Sequence, residues 1–122
     1  MNIEQIIENS VKIAVISSNE VCISTPQSAL DLIMTVKYDS GVDRIVLPKK
    51  TICEDFFILS TGVAGEILQK CINYQVKMAI YGDYSRYTSK PLKDFIYESN
   101  QGNDFYFVAT KEEAVARLVS AA

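Results

Sequence analysis

The sequence predicts an α/β fold: a mixed, mostly parallel sheet with an antiparallel N-terminal hairpin at its edge and helices packed on it. Three observations carry this. Apolar residues switch repeatedly between a period of two and a period near 3.6 along the 122 residues. The strand-like and helix-like stretches follow one another as β-β-α-β-α-β-α-β-α, and right-handed crossovers make the last three strands of such a chain parallel. The run Val76-Lys-Met-Ala-Ile-Tyr81 is apolar apart from Lys77, as a central strand buried on both faces must be.

Each element has its own warrant. Ile3, Gln5 and Ile7 alternate with Glu4 and Glu8 as in a half-buried strand, Asn9-Ser10 reads as a turn, and Val11 to Ile16 is a second, more buried strand completing a hairpin. Ser17 to Glu20 breaks the run, and Val21-Cys22-Ile23 is a short extension. Ser24-Thr25-Pro26 opens the first long helix, because a hydroxyl cap is followed by a proline whose missing N–H would have had no partner. Leu30, Ile33, Met34 and Lys37 are expected along its inner side, and Gly41 as its left-handed cap. Arg44 to Leu47 is the third strand, stopped by Pro48.

Thr51 and Glu54 have the spacing of a capping box, so a short helical turn is expected from Ile52 to Phe57. Leu59 to Gly62 interrupts it. A longer helix follows from about Val63 to Asn73, with Val63, Ile67, Leu68, Cys71 and Ile72 on one face. Gly82 and Asp83 end the central strand in a hydroxyl-rich loop, and Thr88 or Ser89 caps the next helix. Leu92, Phe95, Ile96 and Ser99 keep helical spacing to Asn100, where Asn100-Gln-Gly-Asn103 is a strong stop. Phe105 to Ala109 is the last strand, and Thr110 with Glu113 forms a second capping box opening a final helix that turns Ala114, Val115, Leu118 and Val119 inward. With no repeat, low-complexity tract or linker, residues 1–122 read as a single α/β domain.

Composition narrows the function classes. Hydrophobic residues make up 48% and charged residues 22%, the balance of a folded globular protein. A formal charge of −3, with no basic cluster longer than Lys49-Lys50, disfavours nucleic acid as a partner. No apolar run approaches the roughly 20 residues that cross a bilayer, and no basic segment precedes an apolar one at the N-terminus, so a cytoplasmic protein without a membrane partner is expected. Cys22, Cys53 and Cys71 are odd in number and widely spaced, which suggests no disulfide framework. Histidine is absent. That removes Ser-His-Asp and Cys-His devices and nearly all zinc sites, so no metal and no cofactor is expected.

The element order resembles the STAS-like, anti-sigma-factor-antagonist fold, whose phosphorylatable serine lies at the start of the helix after its third strand. Here Phe57-Ile-Leu-Ser-Thr-Gly-Val63 stands at that point, and Ser60 matches the phosphoacceptor while Leu59 replaces the family's aspartate. The resemblance therefore implies a phospho-switch at Ser60. A second, closer resemblance spans nearly the full chain. Gly65-Glu-Ile-Leu-Gln-Lys70, Asn73-Tyr74, Gly82-Asp83, Tyr87-Thr-Ser-Lys90 and Leu92 to Asn100 are similar to a family of small bacterial proteins known as a domain of unknown function, which implies a single-domain cytoplasmic protein and no particular activity.

Three loops are expected at the carboxyl ends of the parallel strands: Pro48 to Asp55, Gly82 to Lys90, and Ala109 to Glu112. Open α/β sheets bind ligands along that edge, although capped turns facing solvent would look the same in sequence. Asp83, Tyr84, Ser85, Tyr87, Ser89 and Lys90 form the best-supplied cluster, with hydroxyls, an ammonium and the free N–H groups of a helix start that suit a phosphate or carboxylate. No glycine-rich phosphate loop accompanies them. Glu54 and Asp55 follow the third strand. An Asp55–Asp83 pair would suit a hard cation or acid–base work, while first-turn carboxylates also simply offset a helix dipole. Cys71 lies on an apolar helix face, and Cys53 neighbours acidic Glu54, a setting that disfavours a reactive thiolate. Phe56, Phe57, Tyr84, Tyr87, Tyr97 and Tyr106 exceed what one small sheet needs inside, and exposed aromatics mark partner surfaces.

These residues lead to a non-enzymatic regulatory or protein-interaction module, with Lys49 to Gly62 and the Gly82–Lys90 loop as its partner surface. The alternative is a small-molecule or anion-binding protein, or a weak enzyme, working through Asp55, Asp83, Tyr87 and Lys90. A homodimer is expected because small α/β domains with spare aromatics often pair.

Overall fold

The structure, a computed structural model, describes residues 1–121. Strands β1 (Asn2–Glu8), β2 (Val11–Ser17), β3 (Arg44–Pro48), β4 (Lys77–Tyr81) and β5 (Phe105–Val108) form one sheet in the spatial order β1-β2-β3-β4-β5. Helices α1 (Pro26–Ser40), α2 (Val63–Asn73), α3 (Lys90–Gln101) and α4 (Lys111–Ser120) alternate with the strands after the hairpin. Short 3-10 turns at Lys49–Thr51, Glu54–Phe57 and Leu59–Thr61 fill the path from β3 to α2. The α/β class and element order are those expected from the sequence. The structure adds two details: β2 also runs parallel to β3, so β1 alone is antiparallel, and β3 is the middle strand with β4 interior beside it.

Local chemistry accounts for the boundaries. Asn9 and Ser10 both have positive φ (50° and 67°), making the tight two-residue turn whose twist suits an antiparallel pair. At α1, the Thr25 hydroxyl accepts from the Ser28 N–H at 3.1 Å and the Ser28 hydroxyl accepts from the Thr25 N–H at 2.9 Å, ahead of Pro26. Gly41 closes α1 in the left-handed region, its N–H donating to the Lys37 carbonyl at 3.0 Å. Ser89 caps α3, with Pro91 in the first turn.

Sequential strand order sends every crossover the same way, so α1, α2 and α3 share one face. Beneath them lies a core of Ile16, Ile33, Ile45, Leu47, Ile67, Met78, Ile80, Leu92, Phe105 and Phe107. The other face belongs to α4 alone, whose Ala114, Val115 and Leu118 cover Ile13, Val46, Ala79 and Tyr106. Arginines pin that helix. The Arg44 guanidinium donates to the carbonyls of Leu118 and Ala121, countering the negative end of the α4 dipole, and Arg117 lies 4.3 Å from the Tyr106 ring centre while donating to the Asn100 carbonyl. No helix among the described residues is long and apolar enough to cross a membrane.

Several expectations are corrected. The buried stripe of α1 is Ala29, Leu32, Ile33 and Val36, so Leu30, Met34 and Lys37 flank the contact; α1 packs on α2 as well as on the sheet, and that second contact rotates it. The Thr51–Glu54 box does not form. The Thr51 hydroxyl is buried and donates to the Pro48 carbonyl at 2.7 Å, Ile52 bridges to Ile23 in parallel, and the Glu54–Phe57 turn opens from Cys53 with no side-chain cap. The Thr110 hydroxyl does accept from the Glu113 N–H at 3.2 Å, but the returning Glu113 carboxylate reaches the Ala109 N–H instead. Ile72 lies at the edge of the α2 contact, 44% exposed.

Phe56 is the main correction. It is 1% exposed, with ring centres of Phe57, Phe105 and Phe107 at 4.9, 6.0 and 6.0 Å, so it belongs to the core and not to a partner surface. Phe57 and Tyr106 are buried too, and Tyr84 is largely so; the aromatics left outside are Tyr38 and Tyr97, with Tyr74 at the margin. Phe56→Ala is therefore expected to cost about 3–5 kcal/mol in a urea titration, through lost burial plus a residual cavity. A loss below about 1 kcal/mol would mean the ring is not where the packing puts it.

Candidate functional site

The carboxyl ends of β3 and β4 release two loops side by side, and one glycine sets their spacing. A Cβ built on Gly82 would lie 2.6 Å from the Lys49 Cβ, too near for any real pair, so only glycine lets the loop after β4 close on the end of β3. The Gly82 N–H also donates to the Val108 carbonyl at 3.0 Å, carrying the β4–β5 ladder one step beyond the strand. With its stem against Gly82, Lys49 holds its ammonium 5.0 Å from the Phe57 ring centre and 4.9 Å from that of Tyr87.

These two rings stack on each other at 5.0 Å with 19° between their planes, and Phe57 in turn meets Phe56 edge-on. Tyr87 thus stands on a column rooted in the core. Above it, the Glu54 carboxylate accepts from the Tyr87 hydroxyl at 3.0 Å and from the Arg86 guanidinium, with the Lys49 ammonium at 3.8 Å. Arg86 also donates to the Tyr87 oxygen at 3.1 Å and lies 5.0 Å from that ring. The hydrogen bond to Tyr87, then the charge of Glu54, holds the guanidinium above its already high pKa. One carboxylate therefore serves two cations and a phenol. Arg86 and Glu54 remain 61% and 59% exposed, so solvent screens their pair, it contributes little to stability, and its importance is positional.

Of the expected cluster, Glu54 and Tyr87 meet here and the rest disperse. Asp83 turns into its own loop, accepting from the Ser85 N–H at 2.8 Å. Ser89 is spent as the α3 cap, and Lys90 pairs with Asp94 one turn along α3 at 2.8 Å, which raises the Lys90 pKa. Tyr84 packs inward with its hydroxyl donating to the Ile80 carbonyl at 2.7 Å, and burial pushes its pKa up. Among the described residues the Asp55 side chain joins no ion pair or hydrogen bond, and no three His, Cys, Asp or Glu side chains converge on a metal-sized site. Ser60 is exposed in the Leu59–Thr61 turn, just ahead of the Gly62 that caps α2. Cys71 is buried, and burial first and Asp104 second push its thiol up to about 12, which makes it inert.

Lys49 and Arg86 fall within the expected partner segments, Lys49 to Gly62 and Gly82 to Lys90, without being singled out there, and Phe57 is named only among the spare aromatics. Arg86 beside Tyr87 in an exposed loop was the available clue, since these two residue types dominate recognition surfaces. A shallow groove of about 440 Å³ opens next to the cluster between Pro48, Lys49, Lys50, Tyr81, Gly82 and Asp83. A wider one of about 550 Å³ lies on the α4 face of the sheet, between Ile6 of the hairpin and Val115 and Val119 of α4.

The Asp83 turn has a pH signature. The Ser85 hydrogen bonds, with Lys49 a lesser contributor, hold the Asp83 carboxyl below its ordinary value, so the stability it contributes is full above the unfolded value near 3.9 and is lost as pH falls through the lower folded one. The Ser85 amide resonance should consequently titrate with a midpoint under about 3.9. A midpoint at or above that would show that the carboxylate does not accept from this amide.

Comparison with known proteins adds a family and no activity. No curated protein and no solved structure matches the chain, so the anti-sigma-factor-antagonist likeness rests on element order and seven residues alone. A family model described as a domain of unknown function, DUF4180, matches residues 8–118. That match runs from the last residue of β1 through β2, all three crossovers and most of α4, and on it the chain belongs to the DUF4180 family.

Proposed function

We propose that the chain is a non-enzymatic, cytoplasmic protein-interaction module that recognises its partner through Glu54, Arg86 and Tyr87 at the carboxyl edge of β3 and β4. The observation that carries this is the Lys49–Phe57–Tyr87 column. It presents a tyrosine and an arginine, the residue types that most often anchor interfaces, on a base that is part of the core and loses little entropy on binding. The chemistry of the groups supports binding over catalysis. Glu54 is committed to neutralising cations, Asp83 to a turn, and the buried Cys71 thiol and Tyr84 phenol are held protonated.

The test is quantitative affinity capture from the native cell extract with the wild-type chain, Arg86→Glu, and Tyr97→Ala as an exposed aromatic control on α3. At least one protein should fall tenfold or more with Arg86→Glu and persist with Tyr97→Ala, with both variants melting within a few degrees of wild type. A capture profile indifferent to Arg86→Glu would remove this surface. Adding Ser60→Asp to the same series examines the phospho-switch, because an unchanged profile would leave Ser60 without a regulatory role.

A second reading draws on the adjoining groove, where Lys49 and Lys50 stand together and Lys50 has no ion pair among the described residues. There the ligand is a small anion. Inorganic phosphate or a nucleotide at a hundred times its Kd should then stabilise the protein by about 2.7 kcal/mol in a thermal-shift series, and the shift should vanish in Lys50→Ala. Absence of any shift would leave the protein-interaction reading alone.

A further inference from the structure

The two edges of the sheet are treated differently. At β5 the Asn100 side chain acts as a surrogate strand: its amide donates to the Phe107 carbonyl at 3.0 Å and accepts from the Phe107 N–H at 2.8 Å. That closes the edge at Phe107. At β1 nothing similar occurs among the described residues. The strand is seven residues long, pairs with β2 in unbroken register and carries no proline, lysine or bulge, its only charges being Glu4 and Glu8. Natural sheets use those devices to stop edge-to-edge association, and a long regular edge without them is a template for another strand.

The register tells which groups that edge offers. A two-residue hairpin makes Glu8 and Val11 a hydrogen-bonded pair, and alternation then turns Asn2, Glu4, Ile6 and Glu8 toward β2. Ile3, Gln5 and Ile7 therefore direct their N–H and C=O groups outward. The same three residues put their side chains on the face covered by α1–α3, where Ile3 packs at the margin of the core and Ile7 is left 64% exposed.

We infer that β1 pairs with β1 of a second copy of this chain, antiparallel about a two-fold axis at Gln5, to give a continuous ten-stranded sheet. Among the in-phase registers, which place the outward groups opposite one another, those centred on Glu4, Gln5 or Ile6 overlap most of the strand. Centring on Glu4 sets Glu4 against its own copy, and centring on Ile6 sets Glu4 against Glu8 of the second copy. Like charges directly opposite are destabilising. Centring on Gln5 avoids both, setting Glu4 opposite Ile6 and Asn2 opposite Glu8. It is also the register in which all seven residues overlap. Ile3 then meets the exposed Ile7 of the other copy in two symmetric pairs, and each outward residue exchanges both of its backbone hydrogen bonds. The strand is thus complementary to itself in charge, in hydrogen bonding and in apolar surface, which is what an isologous interface requires.

Sedimentation velocity of the full chain at tens of micromolar should report a species of twice the 13.6 kDa chain mass. Gln5→Pro removes only an outward N–H and leaves the β1–β2 ladder intact, so it should halve that mass without changing the circular dichroism spectrum. Ile7→Lys supplies a second route, placing a charge on the edge where the isoleucine pairs form, and should do the same. A wild-type chain that sediments as a monomer would overturn the inference. So would a dimer that survives in a folded Gln5→Pro or Ile7→Lys variant, since it would then use another surface.

Discussion

The order β1-β2-β3-β4-β5 is the constraint on which the rest of the structure depends. A chain that lays each strand beside the last must place all its right-handed crossovers on one face. Three helices are then available for that side and only the ten residues of α4 for the other. The helix sits over β3, β4 and β5, held at its C-terminus by Arg44 and against Tyr106 by Arg117. The hairpin half of its face is left with a groove walled by Ile6, Val115 and Val119. Where β4 leads to α3 on one face and β5 to α4 on the other, the chain forms the kind of divergence at which α/β sheets open a crevice. Here the Gly82–Val108 hydrogen bond and the inward Tyr84 ring, 5.8 Å from that of Phe107, fill it. The candidate groups stand one strand over, at the ends of β3 and β4.

That displacement explains why the aromatics matter more as a series than singly. Phe105 and Phe107 on β5 support Phe56, Phe56 supports Phe57, and Phe57 supports Tyr87 at the surface. Each ring is fixed by the one below it, so the positions of Arg86 and Glu54 are inherited from the sheet and not from the flexibility of their own loop. Offset and edge-to-face contacts of this kind contribute about 0.5–1.5 kcal/mol each beyond simple burial. A change deep in the column should therefore be felt at the surface, whereas a change at Arg86 should leave the core untouched.

Much of the fold was legible because local signals and long-range packing agree. Thr25-Pro26, Ser89 and Thr110 each cap the helix that their spacing announces, and Gly41 ends α1 as a left-handed residue. Where the two disagreed, packing prevailed. Thr51 has a partner three residues on for a capping box, yet the parallel bridge of Ile52 with Ile23 and the draw of Arg86 and Tyr87 on Glu54 take both halves of it. The site was half legible. Glu54 and Tyr87 were visible as chemistry, but their meeting depends on a backbone approach at Gly82 that no spacing rule encodes, and Phe56 and Phe57 look alike in sequence although only Phe57 touches Tyr87. Hydroxyls and charges near a helix start were read as one cluster, when each of Asp83, Ser89 and Lys90 had a local backbone or side-chain partner that claimed it first.

The open edge and the candidate site lie at right angles within the sheet, one along the side of β1 and the other across the ends of β3 and β4. Pairing through β1 would consequently leave both copies of the site exposed. It would also set their directions. β3 runs opposite to β1, and a two-fold axis through Gln5 reverses every strand of the second copy, so the two carboxyl edges would face away from each other while both α4 helices stay on one side of the joined sheet. On the proposed reading, two recognition surfaces that point in opposite directions cannot close on a single small ligand. They can hold two partner molecules apart at a fixed distance, and binding through a shared rigid sheet raises avidity for any partner that is itself repeated. A bridging role of this kind asks nothing of histidine, metal or a general base. It needs rigid columns of rings, charged tips that stay in solvent, and a sheet that continues across two chains.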